Sequence, residues 1–190
     1  MKDLIKCWYL IPTGEEILSG KVADTNSPDI MRKILERRPD HKICRAFPCP
    51  DDKNKIMSAI SKGFSDNYDL IVVMGGSGGG KKYNDSYNPD KSHTAIIDYT
   101  RENSGTYHFI EIYGSNNHLF AKLVFSSLSE GKIINIPGPY VEAMAAIEVI
   151  INRLEQIISY DYSFILNKLA ESILETYSDK PQEIKEDYKK

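Results

Sequence analysis

The chain has 190 residues, 41% of them hydrophobic, which is enough for one sizeable core and suggests a single domain with room for one appended element. A formal net charge of -3, with no basic run longer than two residues, lacks the electrostatic footprint of a duplex-binding protein, so no nucleic-acid partner is expected. Residues 1–6 carry no signal-peptide apolar core, no apolar run approaches membrane-spanning length, and the cysteines number three; the expectation is a cytoplasmic protein with reduced thiols and no membrane contact.

Ile5 to Ile11 reads as a first strand, after which Pro12-Thr13-Gly14 turns the chain. Asn26-Ser27-Pro28 opens a helix that carries Ile30, Met31, Ile34 and Leu35. Ile43 to Phe47 is a second strand, and Pro50-Asp51-Asp52 caps a helix with Ile56, Met57, Ile60 and Phe64 at helical spacing, ended by Gly63 and Asn67. Leu70 to Met74 is apolar throughout, the pattern of a strand buried on both faces. After a glycine run, Pro89-Asp90 starts a weaker helical segment through Ala95, Ile96, Ile97 and Tyr99. Tyr107 to Tyr113 and Lys132 to Ile136 add two strands, and Tyr140 to Ser159 reads as one long helix. Strands alternating with helices imply an α/β sandwich around a mostly parallel sheet.

The C-terminal part differs in character. Tyr160 to Tyr177 carries a helical stripe at Ile165, Leu169 and Ile173, and Ser178 to Lys190 is charged and poor in apolar residues. The expected organisation is a domain over 1–159, a C-terminal helix over 160–178 packed on it or on a neighbouring subunit, and a charged, frayed tail over 179–190.

Gly75-Gly76-Ser77-Gly78-Gly79-Gly80-Lys81-Lys82 follows the third strand directly. Gly75, Gly80 and Lys81 have the spacing of a Walker phosphate loop, but Lys82 stands where that loop needs Ser or Thr, and the turn formers up to Pro89 delay the next helix. Two readings remain: an anion cradle of successive N–H groups at a strand end, or a glycine turn without ligand.

Four blocks in order carry a family resemblance. Thr13 to Asn26 resembles T-G-x-E-I-x-x-G-x-x-x-D-x-N; Pro50-Asp51-Asp52 resembles an acidic step before the second helix; Asp69 to Gly78 resembles D-L-x-x-x-x-G-G-[ST]-G; and Ile134-Asn135-Ile136-Pro137-Gly138 resembles a late L-x-L-P-G turn. These are blocks of the molybdopterin-binding domain family, which includes the MoaB/Mog proteins and the related domains of MoeA, gephyrin and CinA. The resemblance covers about residues 5 to 158 and implies a three-layer α/β/α fold in a homo-trimer or larger assembly. It also implies a pterin-phosphate ligand, molybdopterin, and in the Mog-type branch its adenylylation with ATP and Mg2+. Carried onto this chain, the substrate-binding residues are Thr13, Gly14, Gly75, Gly76, Ser77, Gly78, Gly80, Pro137 and Gly138. The catalytic carboxylates are Asp51, Asp52 and Asp85, with Asp51 and Asp85 as magnesium ligands.

The chain also departs from the branch patterns. Asn84 and Asn88 stand where the Mog-type pattern has Arg and Thr, extra residues flank Asp85, and Pro139-Tyr140 follows the late turn. The chain lacks the additional domains of a MoeA or full CinA protein, which favours a stand-alone MoaB/Mog-like protein. Alternatives to adenylyl transfer are a non-catalytic binding or sensor module of the same fold and CinA-like hydrolysis of a nucleotide pyrophosphate. Asn26 reads as a helix cap or a ligand contact, and Asp51 as a cap, a site carboxylate or both. The four histidines have no zinc-ligand spacing, and Trp8 reads as a core residue.

Overall fold

The computed structural model describes residues 4–76, 91–113, 119–158, 161–177 and 183–189, with the backbone alone for 119–120 and 183–189. The strands are β1 (Cys7–Pro12), β2 (Lys42–Arg45), β3 (Leu70–Met74), β4 (Thr106–Tyr113), β5 (Leu119–Ser127), β6 (Lys132–Ile136) and β7 (Glu183–Lys189). The helices are α1 (Glu15–Leu18), α2 (Asn26–Arg37), α3 (Lys53–Ser65), α4 (Lys91–Glu102), α5 (Tyr140–Asn152), α6 (Leu154–Ile158) and α7 (Tyr162–Leu174). All strands join one sheet in the order β2-β1-β3-β6-β5-β4-β7. The pairs among β2, β1, β3 and β6 are parallel, whereas β5 and β7 oppose the other five strands, so the sheet is mostly parallel with its antiparallel part at one end.

Because side chains alternate across a strand, the central strands feed two cores at once. Trp8, Leu10, Leu70, Val72, Met74, Ile134 and Ile136 face the layer made by α2, α5, α6 and α7. Tyr9, Ile11, Ile71, Val73 and Ile133 face α3 and α4. Every residue of β3 and β6 is buried, and each Ile, Leu or Val so placed contributes about 1.5–3 kcal/mol of transfer free energy. The stripe at Ile165, Leu169 and Ile173 packs into the chain's own core, on the α5 side of the sheet.

Several local expectations are corrected. Gly63 lies inside α3 and does not end it; an added Cβ would come within 2.7 Å of Tyr9 Cδ1, so the missing side chain lets the helix approach β1. Asn67 takes the left-handed conformation just beyond the helix, at φ 63°. The long helix breaks at Arg153, whose backbone leaves helical geometry at φ -128°. Strand β5 was not expected: Ala121, Leu123 and Phe125 are buried on the α5–α7 side, while Lys122 interrupts the apolar run. Residues 183–189, expected within a frayed tail, pair with β4. Such pairing uses backbone groups that an edge strand leaves open, so it needs no apolar sequence.

Trp8 is wholly buried and donates its indole N–H to His41 Nδ1 at 2.9 Å, which requires His41 to be unprotonated. Burial lowers the pKa of His41 and of His108, and burial, aided by nearby Lys122, lowers that of His93 to about 4. Their folded-state values lie below the ordinary 6.5, so their stabilising contribution is present above pH 6.5 and is lost as pH falls toward 4. For His93 the full shift corresponds to roughly 3 kcal/mol. Urea denaturation followed by Trp8 fluorescence is expected to show a midpoint that falls steadily between pH 6.5 and 4, with a shallower fall in His93→Gln.

Candidate functional site

Strand β1 lies between β2 and β3, so the chain leaves it toward one side of the sheet and returns on the other. In α/β sheets this arrangement opens a crevice at the carboxyl ends of the two central strands, where ligands bind. Thr13-Gly14 closes β1 at that edge, Gly75-Gly76 closes β3 and Pro137-Gly138 closes β6. The three turns are in close contact. Thr13 N donates to Met74 O at 2.8 Å, its hydroxyl donates to the same oxygen at 3.1 Å, and Gly75 N donates to Ile136 O at 3.0 Å. A Cβ added to Gly75 would stand 2.9 Å from Thr13 Oγ1, and one added to Gly138 would stand 3.4 Å from Gly75 Cα. Gly75 and Gly76 have φ of 94° and 61°, a conformation in which a side chain is strained.

Most of these groups are already used in holding the edge together. Gly14 N donates to Cys49 O at 3.0 Å, Gly75 N is spent on β6, and the Thr13 side chain is buried. Thr13, Gly14, Gly75 and Pro137 therefore shape the crevice floor, whereas Gly138 is exposed at its rim. Asn26, the first residue of α2, donates from Nδ2 to Gly138 O at 2.7 Å and ties the α2 start to the late turn. The capping role belongs to Asp24, whose Oδ1 accepts from Ser27 N at 3.0 Å while Oδ2 accepts from Arg45 Nε at 2.7 Å. Burial alone would raise the Asp24 pKa, but the Ser27 and Arg45 hydrogen bonds outweigh it and hold the carboxyl below its ordinary range.

One side of the crevice is acidic. A parallel bridge from Thr13 to Cys49 brings the segment after β2 alongside the end of β1. Asp52 caps α3, accepting from Lys55 N at 2.9 Å, a role worth about 1 kcal/mol. Asp51 is thus left free of the helix. It lies at the surface, yet the protein around its carboxyl raises its pKa by desolvation, and Glu16 and Glu15 raise it further. Burial and the neighbouring Asp51 and Asp52 push the Cys49 thiol up to about 11, which disfavours its thiolate form. Unlike Asp24, whose ionised form is stabilised, Asp51 is a carboxylate whose charged form its surroundings disfavour, a mark shared by many functional positions.

Ser77, Gly78, Gly80 and Asp85, with Lys81 and Lys82, lie outside the described residues. Among the described residues, no group of three or more His, Cys, Asp or Glu side chains is placed to hold a metal ion. No described helix is long and apolar enough to cross a membrane. One residue at the site escaped the sequence analysis: Ser92, in the first turn of α4, whose Oγ donates to Gly76 O at 2.5 Å. A serine near a helix start reads as local capping chemistry, so nothing in the sequence pointed to this long-range contact.

The fold defines an α/β protein in which three glycine-bearing turns meet at the switch point of its sheet. The chain belongs to the family described as the probable molybdopterin binding domain, which matches residues 9–156. A protein of Archaeoglobus fulgidus is 36% identical over 71 residues, a stretch that spans 37% of this chain and only 30% of that relative's length. Among solved structures, the molybdopterin biosynthesis enzyme MoaB of Thermus thermophilus is similar at a TM-score of 0.59 and 16% identity, over 86% of this chain and 98% of that one. The CinA protein of Thermoplasma acidophilum is similar at 0.58 and 17%, over 79% and 98% respectively. At these identities the structural likeness is one of fold.

The contact between Gly75 and Thr13 leaves no space for a side chain. Gly75→Ala is expected to lower unfolding stability by about 1–3 kcal/mol through backbone strain, measurable by urea denaturation, with larger losses where Thr13 cannot move aside.

Proposed function

We propose that this chain binds molybdopterin at the carboxyl edge of its sheet and adenylylates it with ATP and Mg2+. The observation that carries the reading is the convergence of the Thr13-Gly14, Gly75-Gly76 and Pro137-Gly138 turns at the switch point in a member of this family. The ligand's phosphate suits a backbone-lined turn, where glycine allows close approach, and α5 starts without a side-chain cap beside the late turn.

In the transfer, a phosphate oxygen of molybdopterin attacks the α-phosphorus of ATP. The bond from that phosphorus to the bridging oxygen breaks, and pyrophosphate leaves. The pterin phosphate is already ionised at neutral pH, so the step asks the protein mainly for alignment and charge neutralisation. Mg2+ commonly takes only one or two protein carboxylates and completes its shell with phosphates and water, a demand that Asp51 with Asp85 could meet. The raised pKa of Asp51 beside Glu15 and Glu16 fits a position where a cation relieves repulsion. Bound there, the ion would neutralise charge on the phosphates. Asp52, occupied by the α3 cap, would hold the loop that presents Asp51. A homo-trimer or larger assembly in the cytoplasm belongs to the same reading, and light scattering measures its size.

A second reading, a non-catalytic binding or sensor module, is favoured by Asn84 and Asn88 at positions where the Mog-type pattern has Arg and Thr. Calorimetry with molybdopterin tests the shared claim: absence of binding at high ligand concentration overturns both readings. ATP-dependent formation of adenylylated molybdopterin separates them. For the enzyme, Asp51→Ala and Asp85→Ala are expected to lower turnover at least 100-fold while pterin affinity stays within about tenfold. Wild-type protein that binds but never turns over is the module.

A further inference from the structure

At the end of the sheet opposite the glycine turns, β5 and β6 are joined by a tight hairpin in which Leu128 N donates to Gly131 O at 2.9 Å. Ser127 and Lys132 are direct partners across it, two residues from Phe125 and Ile134, so their side chains stand on the face covered by α5, α6 and α7. Both are more than nine-tenths buried, at 8% and 6% exposure, and Lys132 Nζ donates to Ser127 Oγ at 2.6 Å. A lysine in such a place is unusual, because an ammonium group loses its hydration there. Burial lowers the Lys132 pKa to about 8, so much of the amine is unprotonated in mildly alkaline solution.

A second observation, independent of the titration, is a partly enclosed cavity with room for about one water-sized molecule. Lys132, Ser129 and Asp69 line its polar part, and Ile5, Leu128 and Ile158 its apolar part. Two further titratable side chains stand close by: the Tyr162 ring of α7 is centred 5.9 Å from Lys132 Nζ, and His108 of β4 lies against that ring at 5.1 Å. Asp69 is engaged by the start of β1, its Oδ2 accepting from Lys6 N at 3.0 Å and Cys7 N at 2.8 Å. The site thus combines a buried amine, a hydroxyl that holds it and a small space with apolar walls.

We propose that Lys132 is an acylation site for a small acyl phosphate, with Ser127 as the residue that positions its amine. The Nζ lone pair attacks the acyl carbon and forms a C–N bond, the bond from that carbon to the phosphate oxygen breaks, phosphate leaves with the electron pair, and one amine proton passes to solvent. The product suits the site better than the ammonium does. An amide carries no charge to desolvate, it keeps an N–H for Ser127 Oγ, and an acetyl methyl is about the size that the cavity admits beside Ile5, Leu128 and Ile158. The same size limit selects against long acyl chains.

The test treats the folded protein and the protein unfolded in guanidinium chloride with acetyl phosphate at pH 8 and follows acetylation of each lysine by peptide mass spectrometry. Lys132 is expected to react about tenfold faster in the folded protein than in the unfolded one, since its amine is less protonated there, whereas exposed lysines such as Lys62 change less than about threefold. A folded Ser127→Ala, checked by thermal unfolding, is expected to lose at least threefold of the Lys132 rate when folded and none when unfolded. Butyryl phosphate is expected to acylate folded Lys132 at least tenfold more slowly than acetyl phosphate. A Lys132 rate that is equal or lower in the folded protein overturns the inference. An unchanged rate in Ser127→Ala overturns the positioning role of Ser127, and equal rates with both acyl phosphates overturn the role of the cavity.

Discussion

The close approach of Gly75 to Thr13 is the constraint on which the site depends. Met74 O accepts from both the N–H and the hydroxyl of Thr13, and the next residue has no room for a Cβ. Gly138 then rests against Gly75 from the β6 side, so three strand ends meet with the Thr13 hydroxyl packed between the first two. A crevice lined by backbone is the result. The backbone N–H groups of Thr13, Gly14 and Gly75 are spent on holding this edge together, and the two-sided core packs behind the strand ends.

Around this floor the polar side chains divide into supports and a candidate working group. Asp24 holds Ser27 N and Arg45, Asn26 holds Gly138 O, Asp52 caps α3 and Ser92 holds Gly76 O. Each fixes backbone and is largely committed by doing so. Asp51 is different, since its environment raises the energy of its charged form without committing it to a helix end. Neighbouring aspartates of the same type thus acquire different uses from a difference of one position relative to α3.

The parallel half of the sheet was readable because its central strands are buried on both faces and are rich in apolar residues: Leu70 to Met74 is apolar throughout, Lys132 to Ile136 is apolar except at Lys132 and Asn135, and both end where the sequence suggested. Helix α2 was readable from its Ile30 and Ile34 spacing. Strand β5 was missed because Lys122, paired across the hairpin with Glu111 at 2.9 Å, puts a charge in the middle of an apolar segment. β7 was missed because an edge strand that pairs through backbone need not be apolar. Gly63 looked like a helix stop because a glycine required for close helix–strand packing and a glycine required for a turn look the same in sequence.

The sequence by itself determined the class of the fold, the family blocks and the glycine turns at the carboxyl edge of the sheet, since apolar periodicity and glycine placement are local properties of the chain. Only the tertiary structure decided what each polar residue at that edge does. Asp52 rather than Asp51 caps the helix, Asp24 rather than Asn26 caps α2, and Ser92 reaches back to Gly76. The physical reason is that a hydrogen-bond partner is chosen by distance in space, and the sheet brings together residues from β1, β3, β6 and the first turn of α4 that no spacing rule connects.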